Sequence, residues 1–232
     1  MNVALILSGG TGTRLGSEIP KQYIEVCERP IISYSIRCLS EHRAIDAIWI
    51  VADSLWHELI EKWLQKFDVN RKFQGFALPG SNRQLSVYHG LEAMKAHMND
   101  ADNVLIHDAA RPLLSSEQVS DCLEAVNGHD GVLPVLPMKD TVYSSTDGRT
   151  VASLLNRTEI YAGQAPELFR FGKYYEANRH LLPDQILHIN GSTEPAIMAG
   201  MDIAMINGDE NNFKITTQAD LERFRRIAGE RG

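Results

Sequence analysis

An α/β fold built on a doubly wound, mostly parallel sheet is predicted by three features of this sequence. Short apolar runs alternate with amphipathic stretches of helical period along most of the chain. The first apolar run, Val3 to Leu7, ends directly in the glycine-rich segment Ser8-Gly9-Gly10-Thr11-Gly12. The length, 232 residues, suits one α/β domain with a full core.

Each element follows from a local pattern. Val3 to Leu7 is a continuous apolar run, as a strand buried on both faces requires. Pro30 suits a first helical turn, and that helix is expected to run to about Ser40. Ala47 to Ala52 reads as a strand, Ser54 to about Lys66 as a helix, and Phe76 to Leu78 as a short strand. Asn82 to Met98 reads as a helix with Leu85, Tyr88, Leu91 and Ala93 on one side. Val104 to Ile106 is a strand that runs straight into His107-Asp108-Ala109-Ala110-Arg111-Pro112. Ser115 is the expected cap of a helix from Ser116 to Val126, and Gly131 to Leu136 is the next strand. There the alternation breaks. Thr141 to Ser144, the pair Asp147-Gly148 and Thr150 to Leu155 read as a hairpin, because Asp-Gly favours a tight turn. A hairpin has no place inside a strand–helix–strand alternation. It is therefore expected to project as an arm, at about residues 139–160 of a single domain spanning 1–232. A helix from Glu167, a helix near Thr193 to Gly200, a strand at Ile203 to Ile206 and a last helix from Gln218 complete the chain.

Composition narrows the function. The chain is 44% apolar and 23% charged, with a formal net charge of -7 and no basic run. Such a chain carries no electrostatic footprint for nucleic acid or an anionic membrane, so neither is an expected partner. Any phosphate it binds must meet a few local Lys and Arg side chains. Cys27, Cys38 and Cys122 are scattered without CxxC spacing, which argues against a metal cluster or disulfide framework and for a reducing compartment. The N-terminus lacks the basic region of a signal peptide, and no apolar run approaches the roughly 20 residues of a membrane span. The cytoplasm is the expected location.

Four segments carry the chemistry. In the first, Gly9, Gly10 and Gly12 leave no Cβ between backbone N–H groups and a phosphate, and Arg14 and Lys21 follow at once. Two cations there could stabilise charge on a triphosphate as its pyrophosphate leaves; the same residues also fit a plain turn with solvated cations. In the second, Gly80-Ser81 turns into a helix whose first turn carries Arg83 and Ser86 on one face, suited to a base or phosphate or simply a capped helix. In the third, Asp108 ends a strand, where ligands of open α/β sheets lie, and could hold Mg²⁺ on a triphosphate or cap the next turn. In the fourth, Gly208 to Thr217 places Asp209, Glu210 and Lys214 just before the last helix. The arm adds Asp140, Thr141 and Arg157, which have little core to pack on and so could serve a neighbouring subunit.

In this order SGGTGTRLG, PKQY, GSNRQLSVYHGL, HDAARP, MKDT, NRTEIYAGQAPELF and ENNFKITT resemble the 2-C-methyl-D-erythritol 4-phosphate cytidylyltransferase family, with ribitol 5-phosphate cytidylyltransferases as close relatives. The resemblance runs from residue 3 to about residue 225. It implies a Rossmann-like core, a homodimer joined through the arms, CTP and a polyol phosphate as substrates, Mg²⁺ as cofactor, and a place in isoprenoid biosynthesis. It further implies that Ser8, Gly9, Gly10 and Gly12 cradle the CTP phosphates and that Arg14, Lys21 and Lys214 are the catalytic cations. Gly80, Arg83, Ser86 and Ala109 would line the nucleotide site and Asp108 would bind the metal. Thr141, Arg157 and Thr193 would reach the polyol phosphate, the first two from the partner subunit. The chain departs from the family pattern at Gln164-Ala165-Pro166-Glu167, usually Gln-Thr-Pro-Gln, at Thr193-Glu194-Pro195-Ala196, usually Thr-Asp followed by small residues, and at Asn211, usually an acid. The first two lie toward the acceptor.

A dinucleotide-dependent oxidoreductase would want GxGxxG and an acid about 20 residues on. Here the glycine spacing is wrong and Asp53 lies about 40 residues past the loop. A binding protein without turnover would have no need to keep Arg14, Lys21, Asp108 and Lys214 together.

Overall fold

The computed structural model describes residues 1–10 and 19–230. Seven principal strands form the sheet: β1 (Asn2–Leu7), β4 (Ala47–Val51), β5 (Phe73–Ala77), β6 (Asn103–Asp108), β7 (Gly131–Pro137), β11 (Glu167–Arg170) and β12 (Ile203–Asn207). Their order is β12–β7–β11–β6–β1–β4–β5. A short β10 (Tyr161–Gly163) continues along the same edge of β7 beyond β11. β1 pairs in parallel with β4 and β6, β4 with β5, and β12 with β7; β10 and β11 run antiparallel. The sheet is thus mostly parallel, as the alternation of elements predicts.

Helices cover both faces because residues of β1 alternate between them. Ala4 and Ile6 pack with Ile32 and Ile36 of α1 (Ile32–Glu41), Ile60 and Leu64 of α2 (His57–Phe67), and Val119 and Cys122 of α4 (Ser116–Ala125). Val3 and Leu5 pack on the other face with Val87, Leu91 and Met94 of α3 (Arg83–Met94) and Tyr174 of α5 (Phe171–Arg179). Gly90 permits the close approach of α3, since a Cβ there would lie 2.6 Å from Leu5. A smaller cluster docks the last helix (Gln218–Glu230) through Leu221 and Phe224 onto Val26, Ile31 and Leu113.

Several boundaries differ from the sequence reading. Pro30 lies in β3 (Arg29–Pro30), paired with β2 (Glu25–Val26), and α1 starts two residues later. The buried face of α3 is Val87, Leu91 and Met94, with Leu85 and Tyr88 only half-buried. Glu167 opens no helix. Glu167–Arg170 is a strand wedged antiparallel between β6 and β7, and the helix begins at Phe171. Four residues are too few to show a period, so this strand is invisible in the pattern.

Between β7 and β10 the chain forms the expected hairpin, with β8 (Tyr143–Ser144) antiparallel to β9 (Ser153–Leu154). Asp147 builds the turn: its carboxylate accepts from the N–H groups of Arg149 and Thr150, each at 2.8 Å, and Gly148 takes φ +68. Tyr143, Val151 and Leu154 are exposed on this hairpin, and Tyr161 is exposed at the start of β10 beside it. Among the described residues no helix is long and apolar enough to cross a membrane.

Candidate active site

The chain leaves β1 toward β4 on one side and returns to β6 on the other, so the ends of β1 and β6 border a crevice. A cavity of about 420 Å³ opens there, lined by Gly9, Gly10, Lys21, Arg83, Asp108 and Lys214 among others. The glycine loop is held from below. Gln22 donates from Nε2 to the carbonyl oxygens of Ser8 and Gly10, both at 2.7 Å. Tyr23 donates its hydroxyl to the Ser8 carbonyl at 3.0 Å. Both side chains are buried, which fixes the turn Lys21–Tyr23 and places Lys21 on the cavity wall.

The opposite wall is the start of α3. Asn82 caps it, accepting from the Leu85 N–H at 2.8 Å. The Ser86 hydroxyl accepts from the Gly80 N–H at 2.9 Å and donates to the Asn82 carbonyl at 2.8 Å, which ties the turn to the helix. Gly80 lies so close that a Cβ would stand 2.5 Å from Leu85.

Three cations converge on Asp108. Arg83 donates from Nε and Nη2 to its Oδ1 at 3.2 and 3.1 Å, Lys214 donates to Oδ2 at 2.8 Å, and Arg111 stands 3.9 Å from Oδ2. Burial alone would raise the Asp108 pKa, but Arg83, Lys214 and Arg111 together outweigh it and hold the carboxyl far below the usual range. Asp108 is therefore an anion at any pH at which the protein works. Its neighbour His107 is fully buried, which pushes it down to about 4 and keeps it neutral. Lys214 reaches the site because its loop is stitched to the core. Arg111 donates to the Asn212 carbonyl at 2.6 Å, Asn212 to the Ala165 carbonyl at 2.9 Å, and the Ile215 N–H to the Ala110 carbonyl at 2.9 Å.

A second cavity of about 330 Å³ adjoins the first, and Arg83, Asp108 and Lys214 belong to both. Its far wall carries Ala165, Glu167, Thr193 and Glu194. The Thr193 hydroxyl donates to Glu167 Oε1 at 3.1 Å, and Arg83 Nη2 lies 3.5 Å from Glu167 Oε2. Ser192 beside it accepts from Arg83 and, through its carbonyl, from the Tyr174 hydroxyl at 2.7 Å.

Gly9, Gly10, Lys21, Gly80, Arg83, Ser86, Asp108 and Lys214 thus share the first cavity, and Thr193 lines the second. Gly12 and Arg14 lie outside the described residues. Ser8 faces inward: its N–H donates to the Val51 carbonyl and its hydroxyl to Tyr23, so neither serves a phosphate. Ala109 is 1% exposed in the core, and Ala110 lines the cavity in its place, because the chain turns after β6. Thr141 and Arg157 are exposed on the arm and line neither cavity of their own chain; Arg157 donates to the Lys139 carbonyl at 2.8 Å. Asp209 and Glu210 line neither cavity, and Glu210 pairs with Lys139. Gln22, Arg111 and Glu167 received no role from sequence, although each lies inside or beside a quoted motif.

Magnesium takes one or two carboxylates together with substrate phosphates. Among the described residues no three His, Cys, Asp or Glu side chains gather to hold a metal. One ionised carboxylate facing a cavity lined by backbone and cations therefore suits an ion carried in on a triphosphate, and does not suit a standing metal cage.

Comparison with known proteins agrees with this fold. The family model described as IspD, 2-C-methyl-D-erythritol 4-phosphate cytidylyltransferase, matches residues 2–229. A ribitol-5-phosphate cytidylyltransferase of Vibrio parahaemolyticus is 31% identical over 98% of this chain and 95% of its own. A 2-C-methyl-D-erythritol 4-phosphate cytidylyltransferase of Syntrophotalea carbinolica is 34% identical over 94% of this chain and 91% of its own. The crystal structure of the 4-diphosphocytidyl-2C-methyl-D-erythritol synthase of Anaerococcus prevotii shares the fold, with a TM-score of 0.82 at 24% identity over 98% of this chain and 96% of that one.

Proposed function

The chain belongs to the 2-C-methyl-D-erythritol 4-phosphate cytidylyltransferase family, and from that premise we propose that it transfers CMP from CTP to a small polyol phosphate and releases pyrophosphate. The observation that carries this reading is the shared wall of Arg83, Asp108 and Lys214 between two cavities. The nucleotide occupies the first cavity and the acceptor the second. An acceptor phosphate oxygen attacks the α-phosphorus, the new P–O bond forms, and the bond to the β-phosphate breaks with its electron pair leaving on pyrophosphate. A phosphate monoester is already anionic at neutral pH, so no side chain need remove a proton. Catalysis is positioning and charge stabilisation.

In this reading Gly9 and Gly10 cradle the phosphates, and Gly80, Arg83 and Ser86 face the nucleoside. Lys21 and Lys214 stabilise charge at the reacting phosphates. Asp108 would hold Mg²⁺ together with triphosphate oxygens, and the ion when bound would neutralise charge on the triphosphate. The family model favours 2-C-methyl-D-erythritol 4-phosphate as acceptor. Ribitol 5-phosphate is a second reading, favoured by the Vibrio relative, and Ala165 and Glu167 on the acceptor side depart from the methylerythritol pattern. The test is pyrophosphate release with Mg²⁺, each of CTP, UTP, ATP and GTP, and a panel of polyol phosphates. CTP is expected to be preferred strongly; equal turnover with UTP would reduce the assignment to a general nucleotidyl transfer.

The arm supports a homodimer. Two-residue strand pairs have little core, and Tyr143, Val151, Leu154 and Tyr161 stand exposed on and beside them. Thr141 and Arg157 would then reach the acceptor phosphate of the partner's site. Arg157→Ala should raise the KM for the polyol phosphate much more than that for CTP. Mixing Lys21→Ala and Arg157→Ala subunits should restore up to about a quarter of the sites, since each mixed dimer of two-fold symmetry holds one intact site. No recovery under demonstrated subunit exchange would mean that the arm serves its own subunit or no site at all.

A further inference from the structure

Glu167 is a carboxylate in an unusual place. It is 8% exposed, at the start of the strand wedged between β6 and β7, and its side chain borders the second cavity. One oxygen, Oε1, accepts from the Thr193 hydroxyl. The other, Oε2, is buried without a hydrogen-bond partner; Arg83 approaches it only to 3.5 Å, beyond good hydrogen-bond geometry. Arg83 is already committed, with Nε and Nη2 on Asp108 and Nη1 on Ser192. A buried carboxylate oxygen with one long ion pair and no hydrogen bond is costly, and the cost is relieved when a donor reaches it.

The charges around the cavity say which end of an acceptor that donor belongs to. Lys214 lines both cavities, whereas Glu167 and Glu194 line the second alone. A phosphate would be repelled by the two carboxylates and drawn to the lysine. A neutral, hydroxyl-bearing carbon chain is then directed toward Glu167. Gln164, Asn190, Ser192 and Thr193 also line this cavity, but Glu167 Oε2 is the acceptor there that is buried without a hydrogen bond of its own.

Resting on the cytidylyl-transfer reading above, we propose that Glu167 is a specificity-determining residue, whose Oε2 accepts a hydrogen bond from one hydroxyl of the acceptor's polyol chain and so selects acceptors that carry it. Thr193 is the positioning residue that fixes the carboxylate through Oε1. Discrimination of this kind is steep, because an analogue lacking the hydroxyl leaves the buried oxygen unpaired in the complex.

The test uses the whole enzyme, the polyol phosphate it turns over fastest, and the analogues of that acceptor that each lack one hydroxyl. The wild type is expected to lose at least about a hundredfold in kcat/KM with one of these analogues. Glu167→Gln, which keeps the shape, should lower kcat/KM for the full acceptor about tenfold or more, with the KM for CTP within about twofold. Glu167→Met, which cannot accept, should remove most of the discrimination against that same analogue. If the KM for CTP rises as much as the acceptor's, Glu167 serves only as a counter-ion of Arg83 and the proposal fails. It fails equally if every analogue is used as well as the parent, a result obtained on the wild type and independent of whether the variants fold. Absence of pyrophosphate release with every polyol phosphate would overturn the cytidylyl-transfer reading and this inference with it. Turnover that ignores Glu167 would overturn this inference alone.

Discussion

Asp108→Asn is expected to lower turnover by on the order of a thousandfold and to lower the melting temperature by roughly 5–10 °C. Both effects have one origin. Among the described residues Asp108 is the sole carboxylate within hydrogen-bond reach of Lys214, and it also binds Arg83 through two nitrogens. An amide of the same shape would leave Arg83, Arg111 and Lys214 facing one another without that charge. Breaking such a buried pair typically costs about 3–5 kcal/mol. Arg83 and Lys214 are about one-third exposed, so water screens part of the loss and the lower end applies. Glu167, 3.5 Å from Arg83, retains some compensation. Calorimetry and pyrophosphate release on the same preparation separate the two effects. The nucleotide result has its own sign. Three cations freed of their anion attract a triphosphate more strongly, so CTP binding without added metal should hold steady or tighten while turnover collapses. Weaker CTP binding in parallel with lost turnover would mean that Asp108 shapes the pocket instead of acting at the reacting phosphates.

Much of the sheet could be read from sequence because its strands are continuous apolar runs between turn signals. Val3 to Leu7, Ala47 to Ala52 and Gly131 to Leu136 all appear within one or two residues of their expected bounds. The wedge strand Glu167–Arg170 could not be read, since its identity rests on pairing with β6 and β7, residues distant in sequence. The site divides in the same way. Asp108 and Lys214 are 106 residues apart, yet each sits in a motif with a mechanical reason to be there. Ser8 and Ala109 misled because a motif assigns residues and not side-chain directions: Ser8 turns its hydroxyl to Tyr23, and Ala109 turns into the core. Glu167 was visible as a departure, but only the third dimension gives it a buried oxygen without a hydrogen bond beside a cavity.

Lys21→Ala should lower kcat by about a hundredfold or more, near 3 kcal/mol of transition-state stabilisation, with a much smaller rise in the KM for CTP. The reason lies in what holds the lysine. Pro20 sets the chain into the turn Lys21–Tyr23. The two residues after Lys21 are both buried and both bonded to the glycine loop, Gln22 to the carbonyls of Ser8 and Gly10 and Tyr23 to Ser8. Ser8 to Gly10 and the turn that carries the lysine are therefore tied together, and Lys21 lines the same cavity as Asp108 and Lys214. A cation placed in advance costs no reorganisation when charge develops on the departing pyrophosphate. Ground-state binding depends less on it, because the loop's backbone and Lys214 remain. Gln22→Ala should behave differently: it releases the loop itself, so the KM for CTP and the melting temperature should both suffer. Lys21→Arg should recover only part of the rate, because a planar guanidinium does not reproduce the position of a compact ammonium. A folded Lys21→Ala enzyme with near-normal kcat would make Lys21 a surface cation and move the burden of charge stabilisation to Lys214.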